Sequence, residues 1–238
     1  MNKLGIGILS LAVFLTACED PAANKPKATT TNSTTATANT ATNTATNTAT
    51  NTATNSPANT AANTTAPKME TKGTAYKITS DDSKVEFVGS KVTGKHDGGF
   101  KAFTGTVDLV NNKPEESRVS VDIDATSIYC DNDTLTGHLK SADFFEVEKY
   151  PKATFVSTKI IPDAAKGAGN YTITGDFNLH GQTKSITYPA KITVSGTDVL
   201  VESEFSINRK DFNIIYAGKT DDLIRDDVVI KLNLKAVK

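Results

Sequence analysis

Tryptophan is absent from the 238 residues, methionine and cysteine occur twice each, and histidine three times. Each scarcity excludes something. His96, His138 and His180 show no His-x-His or His-x3-His spacing, so no local framework for a metal exists among them. The aspartate pairs at 81–82, 221–222 and 226–227 lack the spacing of an EF-hand and read as solvated turns. With 26 basic and 27 acidic residues the net charge is −1, and from Gly73 onward 21 basic against 24 acidic residues give −3. No cluster of Lys and Arg with interleaved aromatics supplies a surface for a phosphate backbone, which argues against a nucleic-acid partner.

Large apolar side chains are also missing locally. From Thr16 to Lys68 there is no Val, Ile, Leu, Phe, Tyr or Met. Such a stretch buries too little surface to offset the ordering entropy of its backbone, so residues 18–72 are expected to form a disordered tether. Within it, residues 36 to 55 repeat a Thr-Ala-Thr-Asn unit, and Pro21, Pro26, Pro57 and Pro67 flank the repeat. A flexible coil from Cys18 to Met69 has an r.m.s. span of about 35 to 42 Å, enough to hold a globular part clear of a lipid surface.

What precedes the tether reads as an export signal. Lys3 gives a positive start and LGIGILSLAVFL, Leu4 to Leu15, is a twelve-residue apolar run. That is too short for a membrane span, which takes about 20 residues, and it fits a secretory core. Leu15-Thr16-Ala17-Cys18 then resembles the bacterial lipobox. Residues 1–17 are expected to be cleaved and Cys18 acylated, anchoring the protein to a membrane of the bacterial envelope with its domain in the periplasm; which membrane stays open. Ordinary cleavage after Ala17 is the alternative. If Cys18 carries lipid, Cys130 is the one cysteine left for the folded part, either as a reactive thiol or as a small buried residue.

From residue 73 to 238 the apolar pattern has a period of two. Val119, Val121, Ile123 and Ala125 alternate with polar neighbours, as do Tyr171, Ile173, Phe177 and Leu179, then Ile186, Tyr188, Ala190, Ile192 and Val194, and finally Val228, Ile230, Leu232, Leu234 and Ala236. Turns are expected at Gly181 and at Gly196-Asp198, with HDGGF around Gly98 and Gly99 as a flexible hairpin tip. Eight or so strands, long at nine to eleven residues, must share one interior. A closed antiparallel up-and-down barrel does this and removes exposed edges; a two-sheet sandwich is the other solution.

One stretch breaks the period. In HLKSADFFEVEKYP, Leu135 and Leu139 lie on one side of a two-turn helix, the Phe144-Phe145 doublet follows, and Pro151 forces Tyr150 to be extended, so a strand should begin near Lys152. This is expected to be a short helical plug.

HLKSADFFEVEKYPKATF resembles the signature of the YceI family, and GDFNLHGQTKSITYPAKI and FSINRKDF with DDLIRDDVVIKLNL resemble two further motifs of it, together covering about residues 74 to 238. The resemblance implies an all-β, elongated, lipocalin-like eight-stranded barrel holding an amphipathic isoprenoid or other lipid. The residues expected to line its interior and rim are Val121, Ile123, Leu139, Phe144, Phe145, Phe155, Ile173, Phe177, Ile192, Val201, Phe205, Ile230 and Leu232. Gly175, Ala125, Ala190 and Ser203 on inward parities either leave room for that ligand or accommodate the phenylalanines.

The function expected is non-covalent binding of a polyisoprenoid or fatty-acyl lipid for transport, storage or sequestration, with no cofactor or metal beyond that ligand. The rival is a solid barrel serving as an envelope interaction or stress-protection module. An enzyme acting through His138 or His180 ranks behind both, because neither has an activated partner in the sequence. Arg209, at a strand-to-turn junction, reads as a structural corner, with contact to an anionic head group as the alternative.

Overall fold

A computed structural model describes residues 19–33 and 73–238. Strand β1 (Thr29–Asn32) lies in the N-terminal segment. It is followed by β2 (Thr74–Thr79), β3 (Lys84–Lys91), β4 (Gly94–Phe100), β5 (Phe103–Leu109), β6 (Arg118–Asp124) and β7 (Ile128–Cys130). Helix α1 (Asp133–Lys140) comes next. The chain then runs through β8 (Lys152–Pro162), β9 (Asn170–Leu179), β10 (Gln182–Val194) and β11 (Asp198–Asn208), the two-residue β12 (Gly218–Lys219) and β13 (Asp222–Leu223), and β14 (Asp227–Val237).

Eight strands close a ring: β2, β5, β6, β8, β9, β10, β11 and β14, each antiparallel to the next, with β14 returning to β2 through Ala236↔Ile78. The alternation produces this directly. On β6, Val119, Val121 and Ile123 are buried while Arg118 and Asp124 face water, so each strand lends one face to the same interior. The second half of the chain has the long strands, of 10 to 13 residues. In the first half they have only 6 to 8.

The turn chemistry explains the meander. His180 and Gly181 have φ of 51° and 72°, the left-handed pair that a two-residue hairpin between β9 and β10 requires. A Cβ at Gly181 would lie 2.6 Å from the Tyr150 ring. β8 begins at Lys152, directly after Pro151. The side chain of Asn132 caps α1 by accepting a hydrogen bond from the Leu135 amide at 2.9 Å.

Three expectations need correction. Gly98 and Gly99 are not a hairpin tip but the middle of β4, paired with β3 on one side and β7 on the other; the turn falls at Val92 and Thr93. Glycine is needed there because the neighbours come too close for a side chain: a Cβ at Gly98 would sit 2.5 Å from both the Tyr129 carbonyl oxygen and the Phe87 ring. Gly98→Ala should therefore lose about 1 to 3 kcal/mol, measured by urea denaturation, since backbone stands in the way. Gly175, likewise, leaves no space: a Cβ on it would lie 2.4 Å from the Phe155 ring, so it accommodates that phenylalanine. Ala125, for its part, belongs to a 3-10 turn at 125–127 and not to β6.

The third correction concerns the tether. β10 and β11 share only four residue pairs, Lys191↔Glu202 to Val194↔Val199, and diverge beyond them. The N-terminal segment fills the divergence. β1 pairs with β10 from Thr29↔Thr187 to Asn32↔Lys184. Just upstream, the Ala28 amide donates to the Ser206 carbonyl at 2.8 Å and the Ser206 amide donates to the Pro26 carbonyl at 2.9 Å. Before that the chain crosses the outer face, where Ala22 is buried on Val88 and Val229. Ion pairs Lys25–Glu204 at 2.8 Å, Lys27–Asp227 at 2.7 Å and Arg225–Asp20 at 3.3 Å fasten it.

Residues 19–33 thus form a strap within the barrel wall. Their lack of large apolar groups did not prevent order, because two open strand edges supply main-chain partners whatever the side chains are. Residues 1–18, including the cleavage site and Cys18, and the repeat region up to residue 72 lie outside the described residues.

Candidate functional site

The upper part of the barrel is hollow, with a cavity of about 760 Å3. Its wall is mostly aliphatic, with a group of aromatic rings set into it. Phe205 stacks on Tyr188 with ring centroids 4.3 Å apart, and Phe155 leans on Tyr188 at 5.8 Å. Burial pushes the Tyr188 hydroxyl above its ordinary pKa, so it stays a neutral O–H. Lower down the barrel is solid: Tyr76, Ile78, Leu109, Ile160, Val199 and Ala236 are buried in the core but do not reach the cavity. A cavity of this size falls in the range that holds small-molecule ligands.

The cavity opens at one end. Its exposed lining residues, Asn132, Thr134 and Lys219, sit where α1, the β3–β4 turn and the loop from Asn213 to Asp226 meet. Leu139 and Phe144 plug part of this end. The His138 ring meets those of Phe144 and Tyr216 edge-on at 4.9 and 5.2 Å and bonds Asp143 at 2.8 Å, so it is tied into the plug. His96, across the opening, bonds Asp131 at 2.8 Å and holds that carboxyl below the usual carboxylate range.

Two basic residues organise the rim. Arg209 is buried, and its guanidinium donates to the carbonyls of Ile214, Ile224 and Arg225 at 2.6, 3.3 and 3.1 Å and to Asp226 at 3.3 Å. It is the structural corner expected, and its donors hold the rim loop closed on itself. Lys91 on β3 pairs with Asp222, which also accepts from the Thr93 amide at 3.2 Å; Lys91 depresses the Asp222 carboxyl.

A depressed folded pKa means that the stabilisation is present above the ordinary carboxylate value and is lost as pH falls through the folded value. The β3–β4 turn should accordingly loosen from the rim loop only in acid, below about pH 4. Asp222→Asn should reproduce that loosening at neutral pH, seen as faster amide exchange at Val92, whose N–H donates to the Leu223 carbonyl.

The residues expected to line an interior come together, with one exception. Val121, Ile123, Phe155, Ile173, Phe177, Val201, Phe205, Ile230 and Leu232 face the cavity from the wall, and Leu139, Phe144 and Phe145 from the plug. Ile192, on the strand beside Val201, is buried in the packed end instead. Ala125, Ala190 and Ser203 do not line the space either; Ser203 donates to the Pro189 carbonyl. The four small residues that the sequence places on inward parities are therefore not what makes the barrel hollow.

Sequence reasoning did not assign Phe87 and Ser90 of β3 to the lining, whereas Phe100, an aromatic that the sequence places near a rim, enters from the end of β4. Cys130 is buried, its thiol 3.1 Å from the Asn132 carbonyl, which matches the small buried residue among the two alternatives. His180 does not line the cavity; its Nδ1 donates to the Phe212 carbonyl at 3.1 Å and its ring lies against Tyr150, so it joins the plug to the corner after β11. Among the described residues no group of three or more His, Cys, Asp or Glu is placed to hold a metal.

Together these elements make a closed antiparallel β-barrel with an apolar chamber open at one end. Residues 76–236 match the YceI-like domain, and the chain belongs to that family. Among its relatives, a UPF0312 protein of Pseudomonas putida strain W619 is 35% identical over 142 residues, covering 56% of this chain and 71% of the relative. Protein YceI of an Escherichia coli strain is 39% identical over 130 residues, covering 52% and 64%. Of solved structures, BcnA of Burkholderia cenocepacia superposes with a TM-score of 0.60 at 25% identity, over 67% of this chain and 99% of that one. A polyisoprenoid binding domain from Saccharophagus degradans gives 0.55 at 19% identity over 69% and 99%, a likeness of fold.

Proposed function

We propose that this protein is an envelope lipoprotein, anchored through Cys18, that holds one long-chain amphipathic lipid in the barrel chamber and carries, stores or sequesters it without covalent chemistry. The observation that carries this reading is the 760 Å3 chamber with its apolar wall. That a barrel of the same fold, from Saccharophagus degradans, is a polyisoprenoid binding domain supports an isoprenoid as the chain.

Magnitudes narrow the ligand. Each methylene moved out of water contributes about 0.8 kcal/mol. Association costs at least about 4 kcal/mol in lost freedom, and a micromolar Kd needs about 8 kcal/mol net, so roughly fifteen or more buried carbons are required. Short acyl chains bind too weakly to stay. The exposed polar groups of the mouth, Lys219, Asn132 and Thr134, are left to meet a head group.

Solvent extraction of protein purified from its own envelope, followed by mass spectrometry, should release close to one polyprenyl or long acyl molecule per chain. Repeated preparations that release none would reject the reading and favour the solid interaction module.

A further inference from the structure

The strap, the mouth and the exposed apolar residues converge. Among the described residues five large apolar side chains are exposed: Val92, Ile161, Leu200, Ile215 and Leu223. Three of them are on the rim. Val92, 54% exposed, forms the β3–β4 turn, and its amide donates to the carbonyl of Leu223, itself 50% exposed. Ile215, 64% exposed, follows Ile214 on the same rim loop, where the Ile224 amide closes back on Ala217. Their neighbours Ile214 and Ile224 line the chamber, so the exposed patch continues into its wall.

The anchor ends at this place too. Asp20 grips Arg225 at 3.3 Å, and the Arg225 amide donates to the carbonyl of Ser90, a chamber residue. Only Glu19 separates Asp20 from Cys18. Lys25 and Lys27 secure the strap to Glu204 and Asp227 a few residues further along. The described part of the strap therefore begins beside the mouth, two residues along the sequence from Cys18.

We propose that the rim formed by Val92, Ile215 and Leu223 sits in the surface of the bilayer that holds the Cys18 acyl chains, so that the chamber opens straight into lipid and its ligand enters and leaves without crossing water. This rests on the anchored-lipoprotein reading. Three side chains inserted at the level of the head groups add apolar burial to the acyl anchor, and they fix an orientation that acyl chains alone leave free. Ile161 and Leu200, near the turns at the packed end, are exposed to a similar degree but face away from the membrane in this arrangement.

The test uses the full acylated chain, with Cys130→Ala, in phosphatidylcholine vesicles that carry spin-labelled lipids. A fluorophore is placed in turn on Val92→Cys, Ile215→Cys, Leu223→Cys, Ile161→Cys and Leu200→Cys. Strong quenching at the three rim positions and little at Ile161 and Leu200 is the expected result. Equal quenching at all five, or quenching confined to the packed end, overturns the proposal, as does an intact mass lacking acyl chains. In a second arm, Val92→Ser, Ile215→Ser and Leu223→Ser together should slow transfer of a loaded polyprenol between vesicles on the order of tenfold while the amount bound at equilibrium stays the same. Unchanged transfer overturns it. Mass spectrometry of the extracted ligand reads the carrier function separately: a protein that orients as described yet contains no lipid retains the docking surface and loses the carrier reading.

Discussion

Replacing Ile173 or Val201 with tryptophan should empty the protein of its lipid and leave it folded. Both side chains are buried in the wall, with 2% and 5% exposure, and both face the chamber. In a filled barrel the added indole would force its neighbours off their rotamers, at about 1 to 3 kcal/mol or more. Here it turns into empty space. The chamber then loses length where a chain would lie, and each displaced methylene removes about 0.8 kcal/mol of binding, so losing three or four lowers affinity by roughly 50-fold or more. Extracted lipid per chain should fall to a few per cent of the parent protein, with the thermal midpoint changing by only a few degrees. A large drop in the midpoint would mean the chamber is not there. An unchanged lipid content would mean the ligand lies elsewhere.

Arg209→Met should produce the largest loss of stability from one substitution. Methionine keeps much of the aliphatic stem but removes the guanidinium, leaving the carbonyls of Ile214, Ile224 and Arg225 without the donors they now have. Uncompensated buried acceptors cost about 1 to 3 kcal/mol each, and some of these will find water at the rim, so a total of about 3 to 5 kcal/mol is expected. For a domain of this size that corresponds to a fall of roughly 6 to 20 °C in the thermal midpoint. Desolvation lowers the Arg209 pKa while Asp226 opposes it, and arginine stays charged at any pH that keeps the protein folded. The effect should therefore be independent of pH between 5 and 9. A loss below about 1 kcal/mol would show that the rim loop does not depend on this corner.

How much of this was legible depends on what kind of contact makes each feature. Alternation told which side chains face inward, so the wall residues from Val121 to Leu232 were identified before any partner was known. Pro151 and the His180-Gly181 pair are local signals, and they placed the start of β8 and the β9–β10 turn. Features made by main-chain contact left no such trace. The pairing of β4 with both β3 and β7 depends on glycines that hydropathy reads as a turn. The strap depends on amide and carbonyl groups and on three ion pairs, in a stretch whose side chains signal disorder. Ile192 shares its parity with true lining residues, and only the depth at which the chamber ends separates it from them.

The strap also changes what the Thr-Ala-Thr-Asn repeat is free to do. One of its borders, Ser33, is bonded to Asp176 on β9, and the other, Gly73, donates to Asp108 on β5. Both ends belong to the same rigid body. Gain or loss of repeat units during replication then changes only the length of chain between two points fixed on the barrel. Doubling the length of a flexible connection costs only about 0.6 kcal/mol, so a change in copy number there takes little from the stability of the barrel.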